Sequence, residues 1–311
     1  MPEKSMLKDN KMTTLWVVMA LLAASAEPII VKLGYRGLAS PWHFLVLKNI
    51  VAALFILPLT RTFRWVGFAG LRKITVVSLL LLITSGATLL ALKYLSAVTV
   101  ITVVTTTPAL VAIINQKLGR DSLTLKFWFG FLLCWAGVFL TVDVHQVLSA
   151  DWVGTACMVV AVLSSAIYRV RMEDVTAEFK PMLVSTYLFP IMAIVSAVFI
   201  MPFIGPIPTY ALPIGAWIGF AAALANVAFL MALYLLGSTR VSIINMLQRP
   251  LIVVAASIIL KEPMTIGQIL GIAMVFVGVQ FATVKRKPAA VQSNAVVDKP
   301  ESAVALVSSE K

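Results

Sequence analysis

The most regular feature of the chain is a series of long apolar runs joined by short polar links. A helix needs about 20 mostly apolar residues to cross the roughly 30 Å of hydrocarbon in a bilayer. β-barrel strands would appear as segments of about ten residues with alternating polarity, and the sequence shows none. The pattern predicts an all-α integral membrane protein with ten transmembrane spans, numbered in chain order: 13–33, 42–60, 74–92, 97–116, 124–142, 152–170, 182–203, 212–235, 240–260 and 266–284.

The composition supports this prediction. Apolar residues make up 60% of the chain and charged residues only 12%, against about 25% charged residues in soluble domains. Soluble enzymes, nucleic-acid binders and disordered scaffolds are therefore excluded. The two cysteines, Cys134 and Cys157, both lie in apolar runs, so no disulfide framework or cysteine metal site is expected. We predict no metal and no cofactor.

The positions of the basic residues predict the orientation, because short cytoplasmic loops are enriched in Lys and Arg. With the N-terminus inside, nineteen of the 25 basic residues fall on the cytoplasmic side and three outside. This split predicts that both termini are cytoplasmic, with an N-terminal segment at 1–12 and a disordered tail at 288–311. The net charge of +12 is thus a topology signal. Ala24–Ser25–Ala26 is similar to a signal-peptide cleavage site, but the apolar run continues through Val31, which favours an uncleaved span.

The chain also contains an internal repeat, with one copy at 13–142 and the other at 152–284. Each copy has a mid-span proline followed by two glycines seven residues apart: Pro108 with Gly130 and Gly137, and Pro250 with Gly271 and Gly278. Because each copy holds five spans, the second must enter the membrane in the opposite orientation. Inverted repeats are typical of secondary transporters, whose substrate site lies near the midplane where the repeats meet.

These motifs resemble a known family. The stretch Leu236–Gly278, with Pro250 in mid-span and Lys261–Glu262–Pro263 after it, is similar to the EamA repeat of the drug/metabolite transporter (DMT) superfamily. The first copy departs from the pattern at Gly119–Arg120–Asp121, where a Glu usually stands. The resemblance implies a central cavity lined by spans 1, 3, 4, 6, 8 and 9, which opens to each side in turn. It also implies that spans 5 and 10 pack together through their glycines.

Three ionisable residues within the spans need an explanation, because a charge at membrane depth costs about 2.5–3.5 kcal/mol on insertion scales. Glu27 in span 1 and Lys48 in span 2 are predicted at matching depth, so they can form an ion pair. Arg249 lies near the midplane, directly before Pro250. If Glu27 neutralises Lys48, Arg249 has no evident protein counter-charge, and an anionic substrate group would supply one.

Neutral polar residues cluster around the same prolines. Proline frees a backbone carbonyl one turn earlier, and such groups are tolerated where they line a cavity. Asn245 and Gln248 precede Pro250, Thr107 precedes Pro108, and Asn226 lies in the middle of span 8. We expect these four side chains to contact the substrate, although polar residues that only hold helices together are common in membranes.

The resulting prediction is a secondary transporter of small metabolites that works by alternating access. An amino acid or related carboxylate-bearing solute is the expected cargo, with Arg249 at the carboxylate and Glu27 as amine contact or proton-coupling site. The alternative is a proton-coupled exporter of lipophilic cations in which Glu27 is the essential charge. No enzymatic activity and no nucleic-acid partner are expected. One chain should suffice for function, dimer formation stays open, and a bacterial inner membrane is the expected location.

Overall fold

The computed structural model of the chain describes residues 12–22, 31, 39–59, 64–95, 97–140, 151–248, 250–251, 254, 266–282 and 285–286. The described helices are α1 (Met12–Leu22), α2 (Pro41–Leu59), α3 (Gly67–Tyr94), α4 (Ala97–Val104), α5 (Thr107–Lys117), α6 (Leu125–Leu140), α7 (Trp152–Glu178), α8 (Pro181–Phe199), α9 (Ala211–Leu236), α10 (Ser238–Ile244) and α11 (Ile266–Phe281). Two short strands, β1 (Asp121–Ser122) and β2 (Lys285–Arg286), pair antiparallel. The predicted segment 1–12, apart from Met12, and the predicted tail at 288–311 lie outside the described residues.

Five described helices are long and apolar enough to cross a membrane, namely α2, α3, α7, α8 and α9. They correspond to predicted spans 2, 3, 6, 7 and 8, while α1, α6 and α11 are shorter apolar helices. Large apolar side chains are exposed on the outer faces of the long helices, as at Leu54, Val159, Ile194 and Trp217. A monomer in water rarely exposes so much apolar surface, whereas lipid covers it without penalty.

Local sequence signals explain where several helices begin and end. Asp151 caps α7, and its carboxylate accepts hydrogen bonds from the amides of Val153 and Gly154 at 2.8 and 3.2 Å. Gly237 separates α9 from α10 with a φ of 82°, a conformation that favours glycine. Helix α7 has 27 residues and is roughly 40 Å long, so it is longer than the bilayer core is thick.

Predicted spans 4 and 9 are both interrupted. Span 4 is divided at Thr105–Thr106 into α4 and α5, and Pro108 lies in the first turn of α5. In span 9, α10 passes into a 3₁₀ turn at Asn245–Leu247, and Pro250 is buried shortly after it. The backbone thus changes geometry one turn or less before each of the two repeat-related prolines.

Helices α6 and α11 pack along a seam of small residues. A Cβ at Gly137 would lie 2.6 Å from the carbonyl oxygen of Gly271, and a Cβ at Gly278 would lie 2.6 Å from Sγ of Cys134. A Cβ at Gly130 would lie 2.6 Å from the carbonyl oxygen of Gly278. The glycines predicted in spans 5 and 10 therefore contact one another in the structure, and only glycine permits so close an approach.

Several charged residues that the sequence places on one side of the membrane meet at one end of the bundle. Lys73 pairs with Glu178 at 2.5 Å, and Arg120 pairs with Asp174 at 2.6 Å. Strand β1, which follows α5, pairs with β2, which follows α11. The links after spans 2, 4, 6 and 10 therefore lie at the same end of the molecule.

Candidate substrate cavity

A central cavity of about 290 Å³ opens between the helices. Residues of α1, α2, α3, α4, α5, α7, α8, α9 and the segment after α10 line its wall. The wall includes parts of predicted spans 1, 3, 4, 6, 8 and 9, and in addition Lys48 from span 2 and Phe189 and Met192 from span 7. Because both halves of the chain contribute, the cavity lies between the two repeats.

The structure brings four of the predicted binding residues to this cavity. Thr107, Asn226, Asn245 and Gln248 all line it, although they come from α5, α9 and the broken segment that follows α10. Within the described part of the chain, Oγ1 of Thr107 and Oδ1 of Asn226 have no hydrogen-bond partner. The cavity therefore gathers neutral polar side chains that are far apart in the sequence.

Of the three charged residues predicted within the spans, the structure describes only Lys48. Lys48 is buried, with 7% of its surface exposed, and lines the cavity wall. Glu27 and Arg249 lie outside the described residues. The proposed ion pair of Glu27 with Lys48, and the proposed contact of Arg249 with cargo, thus stay predictions from the sequence.

Arg169 is a cavity residue that the sequence analysis missed. The charge pattern counts it on the cytoplasmic side, at the end of predicted span 6 (152–170), whereas the structure places it in the cavity wall within α7, which continues to Glu178. The Nε of Arg169 donates to Oγ of Ser165 at 3.4 Å, and Nη1 donates to Oγ of Ser242 at 3.3 Å. The guanidinium carbon lies 5.0 Å from the ring centroid of Phe229. The guanidinium is therefore supported from α7, α9 and α10 together.

An aromatic pair extends this support. The rings of Tyr168 and Phe229 are stacked with their centroids 6.4 Å apart and an interplanar angle of 19°. The hydroxyl of Tyr168 accepts a hydrogen bond from Nδ2 of Asn226 at 3.4 Å. Rigid aromatic rings beside the Arg169 guanidinium limit the orientations of its plane, because the cation is attracted to the face of the Phe229 ring.

The charges in the described wall are of one sign. Lys48 and Arg169 line the cavity, and no Asp or Glu does so among the residues that the structure describes. No group of three or more His, Cys, Asp or Glu side chains that could hold a metal ion occurs in that same part of the chain. The wall can therefore offer hydrogen-bond donors and positive charge to a bound solute.

The bundle of apolar helices, with a cavity whose wall carries several polar side chains, defines a multi-pass membrane protein. Its sequence matches the model of the EamA-like transporter family twice, over residues 11–143 and 152–284. The chain belongs to this family of membrane transporters and has its two-repeat architecture.

A solved structure described only as "Crystal structure of protein" has a similar fold. The TM-score is 0.68 and the sequence identity 17%, and the match covers 87% of this chain and 97% of that chain. At this identity, the likeness shows the fold alone. A comparison with curated proteins finds no match.

Proposed function

We propose that this transporter carries small carboxylate-bearing solutes, such as amino acids, by alternating access around the central cavity. The observation that carries the proposal is the Arg169 guanidinium in the cavity wall, which contains no acidic side chain among the described residues. This charge favours an anionic group on the cargo, since a charge withdrawn from water is stable only with a counter-charge and hydrogen bonds.

Arg169 is the best placed carboxylate ligand in the described wall. A guanidinium presents a planar set of donors that matches the two oxygens of a carboxylate. Its hydrogen-bond partners Ser165 and Ser242 are neutral hydroxyls at 3.3–3.4 Å, so they orient the guanidinium without cancelling its charge. This assignment adds Arg169 to the role that the sequence predicts for Arg249.

The cavity volume of about 290 Å³ is near the lower end of the range for small-molecule pockets, about 300–1,000 Å³, so the cavity can accommodate a small metabolite. The alternative of a lipophilic-cation exporter would require a carboxylate that meets the cation.

The proposal also covers the membrane topology and the coupling ion. We propose that the chain has ten spans in two inverted repeats and that both termini are cytoplasmic. The proposed location is the inner membrane of a bacterium. Protons are the proposed coupling ion, with Glu27 as the proposed site. Matched breaks before Pro108 and Pro250 support a carrier, because interrupted helices at the midplane are typical of secondary transporters.

The test is transport by purified protein in liposomes loaded with a mixture of amino acids, organic acids and lipophilic cations. Solutes that cross are identified by mass spectrometry, with and without a pH step. The proposal predicts movement of carboxylate-bearing solutes and its loss in Arg169→Gln, with Lys93→Gln as a control basic residue outside the cavity. Movement of lipophilic cations alone, unchanged in Arg169→Gln, would contradict it.

A further inference from the structure

A second polar cluster lies at one end of the bundle, beyond the cavity. It consists of Asn115 at the end of α5, Asp121 in β1, Glu173 in α7, and Ser238 and Thr239 at the start of α10. All five side chains are buried, and none of them lines the cavity. We call this cluster the polar latch.

Hydrogen bonds link the members of the latch in one chain. Glu173 Oε2 accepts from the amide and the hydroxyl of Ser238 at 2.9 and 2.5 Å. Nδ2 of Asn115 donates to the hydroxyls of Ser238 and Thr239 at 2.7 and 2.8 Å. The hydroxyl of Thr239 in turn donates to Oδ2 of Asp121 at 2.5 Å. The start of α10 is therefore bonded to three other elements.

The latch connects the two repeats. Asn115 and Asp121 belong to the first repeat, while Ser238 and Thr239 belong to the second, so three of the bonds cross between them. Of these three, the bond from Thr239 to Asp121 has a carboxylate acceptor, and such bonds are about twice as strong as those between neutral groups. Any motion that separates the repeats at this end must break the bonds that cross.

The same elements lead directly from the latch to the cavity. In α7, Arg169 lies one turn before Glu173, roughly 6 Å along the axis. Helix α10 runs from Ser238 toward Asn245, and α5 runs from Thr107 in the cavity wall to Asn115. The latch therefore lies between the cavity wall and this end of the bundle.

We propose that the polar latch is the gate that closes this end of the cavity, and that it opens and re-forms in each transport cycle. Oδ1 of Asn115 is buried and has no hydrogen-bond partner in the described structure. An unsatisfied buried acceptor destabilises the closed arrangement, and separation of the repeats would let water reach it. The closed arrangement is therefore stabilised by strong hydrogen bonds, but it can still open.

This inference rests on the chain being a carrier but not on the identity of its cargo. It is tested by cysteine accessibility without cargo, in liposomes of defined orientation. Ala225, a small residue in the cavity wall, is replaced by Cys in a Cys157→Ser background. A membrane-impermeant maleimide is added to either face, and the same protein without the Ala225 change reports background labelling at buried Cys134.

We expect the cavity cysteine to be labelled mainly from the face opposite the latch. Glu173→Gln weakens the two hydrogen bonds that hold Ser238 in place within the second repeat. Because Ser238 accepts one of the bonds that cross between the repeats, labelling from the latch face should increase about tenfold. Glu178→Gln is the matched control on the same helix, because Glu178 is partly exposed and pairs only at the surface with Lys73. It should leave labelling unchanged.

Thr239→Val provides a second, nearly isosteric variant that removes the bonds to Asp121 and Asn115. It should increase labelling from the latch face as Glu173→Gln does. Circular dichroism checks that each variant is folded. If both folded variants label like Glu178→Gln, or if the unaltered latch already permits labelling mainly from its own face, the latch is not a gate. Such a result would leave the proposed cargo untouched, because no cargo enters the assay.

Discussion

A single methyl group added to the seam between α6 and α11 should destabilise the protein measurably. In Gly130→Ala, the new Cβ would lie 2.6 Å from the carbonyl oxygen of Gly278 and 2.7 Å from the carbonyl carbon of Phe281. Both atoms belong to backbone, so neither can rotate away as a flexible side chain would. The two helices must therefore separate or shift locally.

The size of the effect follows from the geometry. Ordinary contact of a Cβ begins at 3.4 Å, so the helices must move apart by roughly 1 Å, and such a gap forfeits a quarter to a half of each dispersion contact. Overpacking of this kind costs about 1–3 kcal/mol. We expect Gly130→Ala to lower the free energy of unfolding by an amount in the upper part of that range.

The assay is unfolding by sodium dodecyl sulfate in mixed micelles, followed by tryptophan fluorescence. Trp128 and Trp135 lie on α6 and pack against the cluster at the seam, so their emission reports its loss. The matched control is Gly205→Ala, where an added Cβ meets nothing within 4 Å. Equal unfolding curves for Gly130→Ala and Gly205→Ala would refute the reasoning that close backbone approach holds this seam together.

Three further predictions concern other parts of the chain. Asp151→Ala removes the cap of α7 and should lower the free energy of unfolding by about 0.5–2 kcal/mol in the same assay, whereas Asp151→Asn should restore most of it. Lys73→Ala breaks an exposed pair with Glu178 and should change that free energy by less than about 1 kcal/mol. Ser242→Ala removes one support of the Arg169 guanidinium and should raise KM for an anionic cargo with little change in the unfolding curve, as measured by initial uptake rates.

The long helices could be predicted because their apolar runs reflect the thickness of a membrane. The helical breaks in spans 4 and 9 could also be predicted, since Pro108 and Pro250 have fixed consequences for the backbone. Thr107, Asn226, Asn245 and Gln248 were selected for their proximity to these breaks or to the midplane, and all four line the cavity. Local sequence was enough to predict that these four side chains lie at one cavity, and their contact with a substrate stays a prediction.

The sequence does not reveal Arg169 as a cavity residue, because the first charged residue after an apolar run ordinarily marks the end of a span. The helix in fact continues to Glu178. It ends shortly before Pro181, because a proline disfavours helical geometry in the residue that precedes it, here Lys180. Burial of the Arg169 guanidinium depends on Phe229 and Ser242, which lie 60 or more residues away in the sequence. No local pattern reports such a contact.

The polar latch could not be predicted either, because its contacts also join residues that are far apart in the sequence. Asn115 and Ser238 are separated by 123 residues, and their hydrogen bond exists only because α5 and α10 meet at the end of the bundle. Each residue alone is an ordinary polar group near the end of a helix. Their arrangement in one hydrogen-bonded cluster can be seen only in the packed structure.

The central claim is that Arg169 binds the carboxylate of the cargo, and matched pairs of solutes test it most directly. For the solute found in the transport screen, uptake into liposomes is compared with that of its neutral amide, in the unaltered protein and in Arg169→Gln. Loss of a charge-assisted contact is worth about 1.5–3 kcal/mol, or roughly ten- to hundredfold. The account predicts that the unaltered protein prefers the acid by this factor and that Arg169→Gln abolishes the preference. An equal preference for the acid in both proteins would show that the carboxylate is bound elsewhere.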